Sequence, residues 1–409
     1  MSYEELAKII KTYLILKDDG IIKFICAVIV ANQMPQLDPT FAFIVSSSSG
    51  GKSSLLESLK KCPWAFFIDD LTEKTFASGM KNSSKETSLL FRLSSQPGVV
   101  IIMSDFTLML SKDEKVAGQI MSQLRLIYDG KFKKFFGTGT EVPWEGRVGF
   151  LSGVTTEVYE RQSQYAALGE RMLYYFMEQP DRKQITKEIL KNLKHIKSGR
   201  EVMSNAFKDF FASLKIPENL PEFNDEVIDN LTDLSELATR ARSSVSRKKY
   251  SKDNPITQVN ALEMPGRMAK QLTNLGHAMQ VINQGELSPS DYNIIYKVAL
   301  DSIPITRKMV MEKMTSVARQ IDIYNLAGNI SLPYETIKPV VEDLAALGII
   351  NKASGFGKGH YMYQMKEEYR VLMSKFQHIQ IADTVLNKQD QNEAPIPVIE
   401  SAQVEGINF

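Results

Sequence analysis

Residues 41 to 54, FAFIVSSSSGGKSS, constrain this chain more than any other stretch. Five apolar residues, Phe41 to Val45, read as a buried strand, followed by a loop of small residues. Gly50-Gly51-Lys52-Ser53-Ser54 then opens LLESLKK, which reads as a helix. Strand, small-residue loop, Gly-Lys-Ser and helix is the order of a phosphate-binding loop. In such a loop, backbone N–H groups from Ser47, Ser48, Ser49, Gly50 and Gly51 through Ser54 surround a phosphate. The helix start adds its positive dipole end. Lys52 reaches the β- and γ-phosphates, and the Ser53 hydroxyl takes one Mg²⁺ position, so ATP and Mg²⁺ are the implied ligands. The usual pattern carries glycine where this chain has Ser46. Either Ser46 adopts a turn that glycine enters more easily, or the loop is shaped differently. The bland alternative is a serine-rich turn with a chance Gly-Lys-Ser.

Some fifty residues on, QPGVVIIMSDF sets an apolar strand, Val99 to Met103, before Ser104 and Asp105. A buried central strand that delivers an acid to a metal shell has this form, which makes Asp105 the second metal-binding candidate beside Ser53. Most such ATPases place a glutamate after that aspartate to polarise water, and here Phe106 stands instead. Asp105 then positions the water itself, or the base comes from elsewhere, with Glu157, Asp69 and Asp70 as candidates. A core strand that merely ends in aspartate is the alternative.

LRLIYDGKFKKFFGTGTEVPWEGRVGFLSGVTTE reads as helix end, strand, turn, strand. Lys131, Lys133 and Lys134 interleave with Phe132, Phe135 and Phe136, the composition of a hairpin that touches a nucleic-acid backbone. It is equally the composition of a half-buried hairpin with lysines in solvent. The next strand, Val148 to Val154, ends at Thr155, where a polar side chain can sense the γ-phosphate. Arg171 opens the apolar strand in LGERMLYYFMEQP, either as a finger offered across a subunit boundary or as a surface ion pair.

Alternation of strands and helical stretches to about Pro180 argues for a parallel sheet sandwiched by helices. The chain divides as residues 1–39 (helical lead-in), 40–180 (ATPase core), 181–302 (charged helical lid), 303–366 (a separate compact unit) and 367–409 (a polar tail, flexible or docking). Ile21 to Ala31 is apolar but carries Lys23 and is too short to span a bilayer, so it reads as a buried helix and no membrane is expected. Lys plus Arg number 49 against 48 Asp plus Glu, so nucleic-acid binding must come from local patches. Two cysteines, Cys26 and Cys62, are too few for a disulfide scaffold, and a reduced cytosolic setting is the plain reading.

In the lid, Arg240, Arg242, Arg247, Lys248 and Lys249 form a basic cluster, read as a solvated face or a DNA-facing patch. Arg267 follows Pro265-Gly266 at a helix start, where the dipole disfavours a cation, so a nucleotide phosphate or another group must compensate. From Ile303 the order is helix, helix, turn, helix and hairpin, that of a winged helix-turn-helix, with Tyr334 to Leu347 as recognition helix. Tyr334, Thr336 and Lys338 then face DNA, with Lys352, Lys358 and His360 on the wing. Glu335, Glu342 and Asp343 oppose phosphate contact, so a protein-docking role stands beside DNA reading.

Taken as an ordered series, these features resemble the AAA+ ATPases, and most closely the minichromosome-maintenance (MCM)-type helicases with their relatives in phages and mobile elements. The likeness spans roughly residues 20 to 365. It implies an α/β AAA+ P-loop core with a helical lid and a C-terminal winged helix. It places the finger on Arg171, sensor 1 on Thr155 and sensor 2 on Arg267. Ser46, Phe106 and Thr155 depart from the family's glycine, glutamate and asparagine. The implied function is an ATP-dependent DNA helicase or translocase, working as a hexameric ring in phage or mobile-element replication, in the cytoplasm of a bacterial or infected cell. DNA contact would fall to Lys131, Lys133, Lys134, Lys338 and Lys358, with a replication protein as a further partner. The competing reading is an ATP-binding switch, such as an initiator, loader or scaffold, with weak or no hydrolysis.

Overall fold

A computed structural model describes residues 1–48, 50–77, 88–96, 98–136, 141–159, 170–192, 196–248, 254–317, 319–355 and 360–375. Its strands are β1 (Phe41–Val45), β2 (Ala65–Ile68), β3 (Val100–Met103), β4 (Lys131–Phe135), β5 (Glu141–Glu145), β6 (Gly149–Val154), β7 (Met172–Phe176), β8 (Val245–Arg247), β9 (Ile256–Val259), β10 (Ile350–Ser354) and β11 (Tyr361–Met365). Five of them make one sheet in the order β2-β3-β6-β1-β7, and each of its four pairings is parallel. Strands buried on both faces need no polar alternation, which is why FAFIV and VVIIM read as unbroken apolar runs.

The helices are α1 (Tyr3–Tyr13), α2 (Gly20–Ala31), α3 (Lys52–Glu57), α4 (Leu89–Leu93), α5 (Thr107–Leu110), α6 (Glu114–Tyr128), α7 (Arg182–Asn192), α8 (Ile196–Ser213), α9 (Asp225–Arg242), α10 (Gly266–Asn283), α11 (Pro289–Asp301), α12 (Ile305–Thr315), α13 (Ile323–Ile330) and α14 (Tyr334–Ala346). Alternate sheet residues point into two cores. Ala42, Ile44, Ile102, Leu151 and Tyr175 share one with α1, α2 and α8 to α11. Phe43, Val45, Ile101, Phe150 and Tyr174 share the other with α4 to α6. The sheet is therefore flanked by helices on both faces, as expected.

The apolar run from Ile21 is a helix buried all round, and it packs against α10. Lys23 is tolerated there because its Nζ meets the buried Asp291 carboxylate of α11 at 2.6 Å. The α2 C-terminus is closed by Arg147, whose guanidinium donates to the carbonyls of Ala31, Asn32, Leu37 and Asp38. Burial pulls the Arg147 pKa down to about 10. No motif marked this residue.

Two stretches differ from expectation. The region 181–302 is helical except for the antiparallel pair β8–β9, which is short and largely polar and gives no period-2 signal. Residues 367–375, assigned by sequence to the tail, are helical, and they bury Tyr369, Leu372 and Met373. Among the described residues no helix is long and apolar enough to cross a membrane.

Candidate functional site

Strand β1 is the point where the sheet's connections change direction, because its successors β2, β3 and β6 lie to one side and β7 to the other. Ligands of open α/β sheets bind beyond the carboxyl end of such a strand. The serine-glycine loop sits there. Gly51 is the left-handed residue of this loop (φ +85°) and directly precedes α3. Ser46 has no positive φ, so the turn expected of it is made elsewhere and the loop is shaped differently. Ser46 is instead fully buried, with its N–H donating to Val154 O on β6. A Cβ on Gly50 would lie 2.7 Å from both Ser46 Oγ and the Gln179 amide, which explains glycine there and brings in a residue that sequence reading missed.

Lys52 is 7% exposed and donates from Nζ to Ser46 O, Ser46 Oγ and Ser47 O, each at 2.9 Å. The serine at the glycine position thus supplies one of the acceptors that hold the lysine. Burial lowers the Lys52 pKa, and nearby Asp105 opposes that fall. Ser47, Ser48 and Ser53 are exposed and Ser54 is half-buried, while Ser49 lies outside the described residues.

Asp105 follows β3 and is exposed; its Oδ1 accepts from Thr107 N at 2.8 Å. Thr107 Oγ1 in turn accepts from Thr155 N at 3.0 Å, which ties the ends of β3 and β6 together. Thr155 Oγ1 is buried without a hydrogen-bond partner, an orphan group at the same strand ends as the loop. Phe106 points away. It is fully buried among Phe43 and Phe150, with ring centroids at 5.0 and 5.7 Å. Of the other acids, Asp70 is held by Lys112 at 2.6 Å and follows the edge strand β2, as does Asp69. Glu157 is exposed just beyond β6, the neighbour of β1.

The cradle fits a phosphate group and a cation by donor chemistry. It combines a buried cation, a Cβ-free backbone approach, two hydroxyls (Ser53 and Thr155) and one exposed carboxylate.

Arg171 and Arg267 lie at the other end of the sheet. Arg171 precedes β7, so the length of a parallel strand, roughly 15 Å, separates it from the loop on β1. Its side chain is 11% exposed, and its guanidinium grips Asp129 at 3.1 and 2.8 Å and lies over the Tyr128 ring. Arg267 contacts Glu170 O at 3.4 Å and Glu263 at 3.7 Å, so protein groups offset its place at a helix start. A cleft of about 650 Å³ opens at this end, lined by Asp38, Tyr128, Asp129, Arg147, Arg267 and Lys270 among others.

Of the lysines expected to touch DNA, Lys133 and Lys134 have partners within the chain. In β4–β5 the outer face sets Lys131 opposite Glu145, and Lys133 pairs with Glu141 at 2.5 Å. Lys134 donates to Glu73 O, while Phe132, Val142 and Trp144 fill the inner face. The exposed hairpin face therefore carries as many carboxylates as lysines. In the basic cluster of α9 and β8 the three arginines are engaged within the chain, while Lys248 is exposed. Arg242 forks onto Glu263, Arg240 pairs with Glu236, and Arg247 bridges to Glu342 and Asp343 of α14. Lys338 is half-buried on α14, and Lys249 and Lys358 lie outside the described residues.

Comparison with known proteins finds no matching family model and no matching curated protein. A solved structure titled "SCCmec type IV Cch - active helicase" is similar at a TM-score of 0.41 and 13% identity, over 91% of this chain and 72% of that one.

Proposed function

We propose that this chain is an ATP-dependent DNA translocase or helicase of the MCM-like AAA+ type, assembled as a ring and serving phage or mobile-element replication. The observation that carries the reading is Lys52: a buried ammonium held by loop oxygens at the switch point of a parallel sheet, with Asp105 beside it. In this reading the loop N–H groups and Lys52 bind the ATP phosphates. Ser53 and Asp105 would hold Mg²⁺, which supplies positive charge against the phosphate oxygens. Thr155 reports on the γ-phosphate through the link Thr107–Asp105. Arg171 and Arg267 stand too far from their own loop and serve the nucleotide of a neighbouring protomer. Helices α9 to α11 form the lid, and α12 to β11 the winged helix.

A second reading, a nucleotide switch with little turnover, has Phe106 in its favour. That side chain is committed to the core, so the position after Asp105 contributes no base. ATP hydrolysis by the full chain, with and without single-stranded DNA, separates the two. Turnover raised by DNA and lost in Lys52→Ala supports the motor. Nucleotide binding that needs Lys52 but never yields turnover supports the switch.

A further inference from the structure

The C-terminal unit shows an aromatic flank that shares Tyr334 with the expected major-groove contact and adds Tyr324 and Tyr361. Tyr324 opens α13 and Tyr334 opens α14. Their rings stack at 4.2 Å with 19° between planes, yet Tyr324 remains 68% exposed. Backbone hydrogen bonds between Ile321 and Tyr363 fasten the start of α13 to β11. Two residues from Tyr363 on the same strand, Tyr361 is 44% exposed under the Lys352 ammonium, 3.7 Å from its ring centroid. Lys338 follows Tyr334 by one helical turn.

Charge along α14 is split between its two halves. Glu342 and Asp343, at the C-terminal end, are taken by Arg247, and Asp343 also by Arg307 at 2.9 Å. Those acids are neutralised and that half of the helix is fixed against the β8–β9 pair, so it cannot enter a groove. What the N-terminal half offers is the half-exposed Tyr334 ring, Thr336, Lys338 and a single acid, Glu335, with the exposed Tyr324 of α13 stacked beside it.

We propose that Tyr324, Tyr334 and Tyr361 form a stacking platform for single-stranded nucleic acid, with Lys338 and Lys352 on its backbone. Bases of any identity stack on such rings, so the site reads strandedness and not sequence. The platform needs no nucleotide at the loop, so the proposal stands or falls apart from the ATPase reading.

The test uses the full chain carrying Lys52→Ala, without ATP, and fluorescence anisotropy of a labelled oligothymidylate about 16 nucleotides long. Tyr324→Ala should weaken binding about tenfold, the scale of one lost base–aromatic stack, with an unchanged circular dichroism melt because the residue is exposed. Tyr324→Phe should bind as the parent does. Lys352→Gln should lower the salt slope by about one, and a duplex of equal length should bind more weakly. The proposal is overturned if Tyr324→Ala binds like the parent, if Tyr324→Phe fails as badly as alanine, or if duplex is preferred. It is also overturned if neither form binds, which would leave the flank as a protein-docking surface.

Discussion

Lys52, at the carboxyl end of the central sheet, and Arg171, at its amino end, hold their charges in opposite ways. At the carboxyl end, Lys52 is buried among neutral serine oxygens, its nearest acid, Asp105, being occupied with Thr107 N. At the amino end, Arg171 pairs with Asp129, Arg267 with Glu263, and Lys270 with Asp38, while Arg147 is held by main-chain carbonyls. A lysine held by neutral acceptors keeps its full charge for an incoming anion. Arginines already paired must exchange one anion for another. The first arrangement is preorganised within one chain; under the ring proposal, the second would exchange its own carboxylates for a neighbouring protomer's nucleotide.

The largest effect should come from removing the Lys52 ammonium. Lys52→Ala should weaken ATP binding about 100-fold, on the order of 3 kcal/mol for charge-assisted contacts, as read by titration calorimetry. The same lysine sets a pH dependence. Its pKa lies below that of an ordinary lysine, and a bound phosphate favours the charged form, so binding takes up protons. Affinity should therefore fall as pH rises from 7 towards 10, and Lys52→Arg should flatten the slope. An affinity that rises with pH would break the contrast between the two ends.

Arg147→Ala comes next. It strips two carbonyls at the end of α2 and two in the following loop of their donor, and the unfolding free energy should drop by about 2–3 kcal/mol in urea with an unchanged m value. Ser46→Gly should cost about 1 kcal/mol of stability, through one lost Lys52 acceptor and added chain entropy. Were Ser46→Gly to tighten ATP binding and raise stability together, the serine would be a defect in the loop and not part of it. Asp129→Asn should be the mildest change. The acid is 47% exposed, so the loss should stay under about 1 kcal/mol by thermal melts.

Much of this was legible in the sequence because it is local. Two long apolar strands, the Gly-Lys-Ser turn and the helix after it each follow from neighbours in the chain. What was not legible depends on distant partners. Nothing in SSVSRKKY says that Arg247 will find Asp343, ninety-six residues away, so a structural clamp read as a solvated or DNA-facing run. Glu141 and Glu145 lay in plain view, but only the β4–β5 pairing sets Glu145 opposite Lys131 and Glu141 diagonally within reach of Lys133. Phe106 was noticed as an absence, whereas its packing on Phe43 and Phe150 makes it a core residue in its own right. Ser46 was judged by the glycine it replaces, and its hydrogen bond with Lys52 could not be seen without the fold.

The proposed ring requires the two ends of the sheet to meet across a protomer boundary and make one ATPase site. Mixing Lys52→Ala with Arg171→Ala protein in the presence of single-stranded DNA tests it most directly. Each variant alone should be inactive, and the mixture should recover part of the wild-type turnover, because some boundaries join an intact loop to an intact arginine. Two inactive variants that stay inactive after demonstrated subunit exchange, or an Arg171→Ala protein that hydrolyses ATP at the wild-type rate, would contradict it.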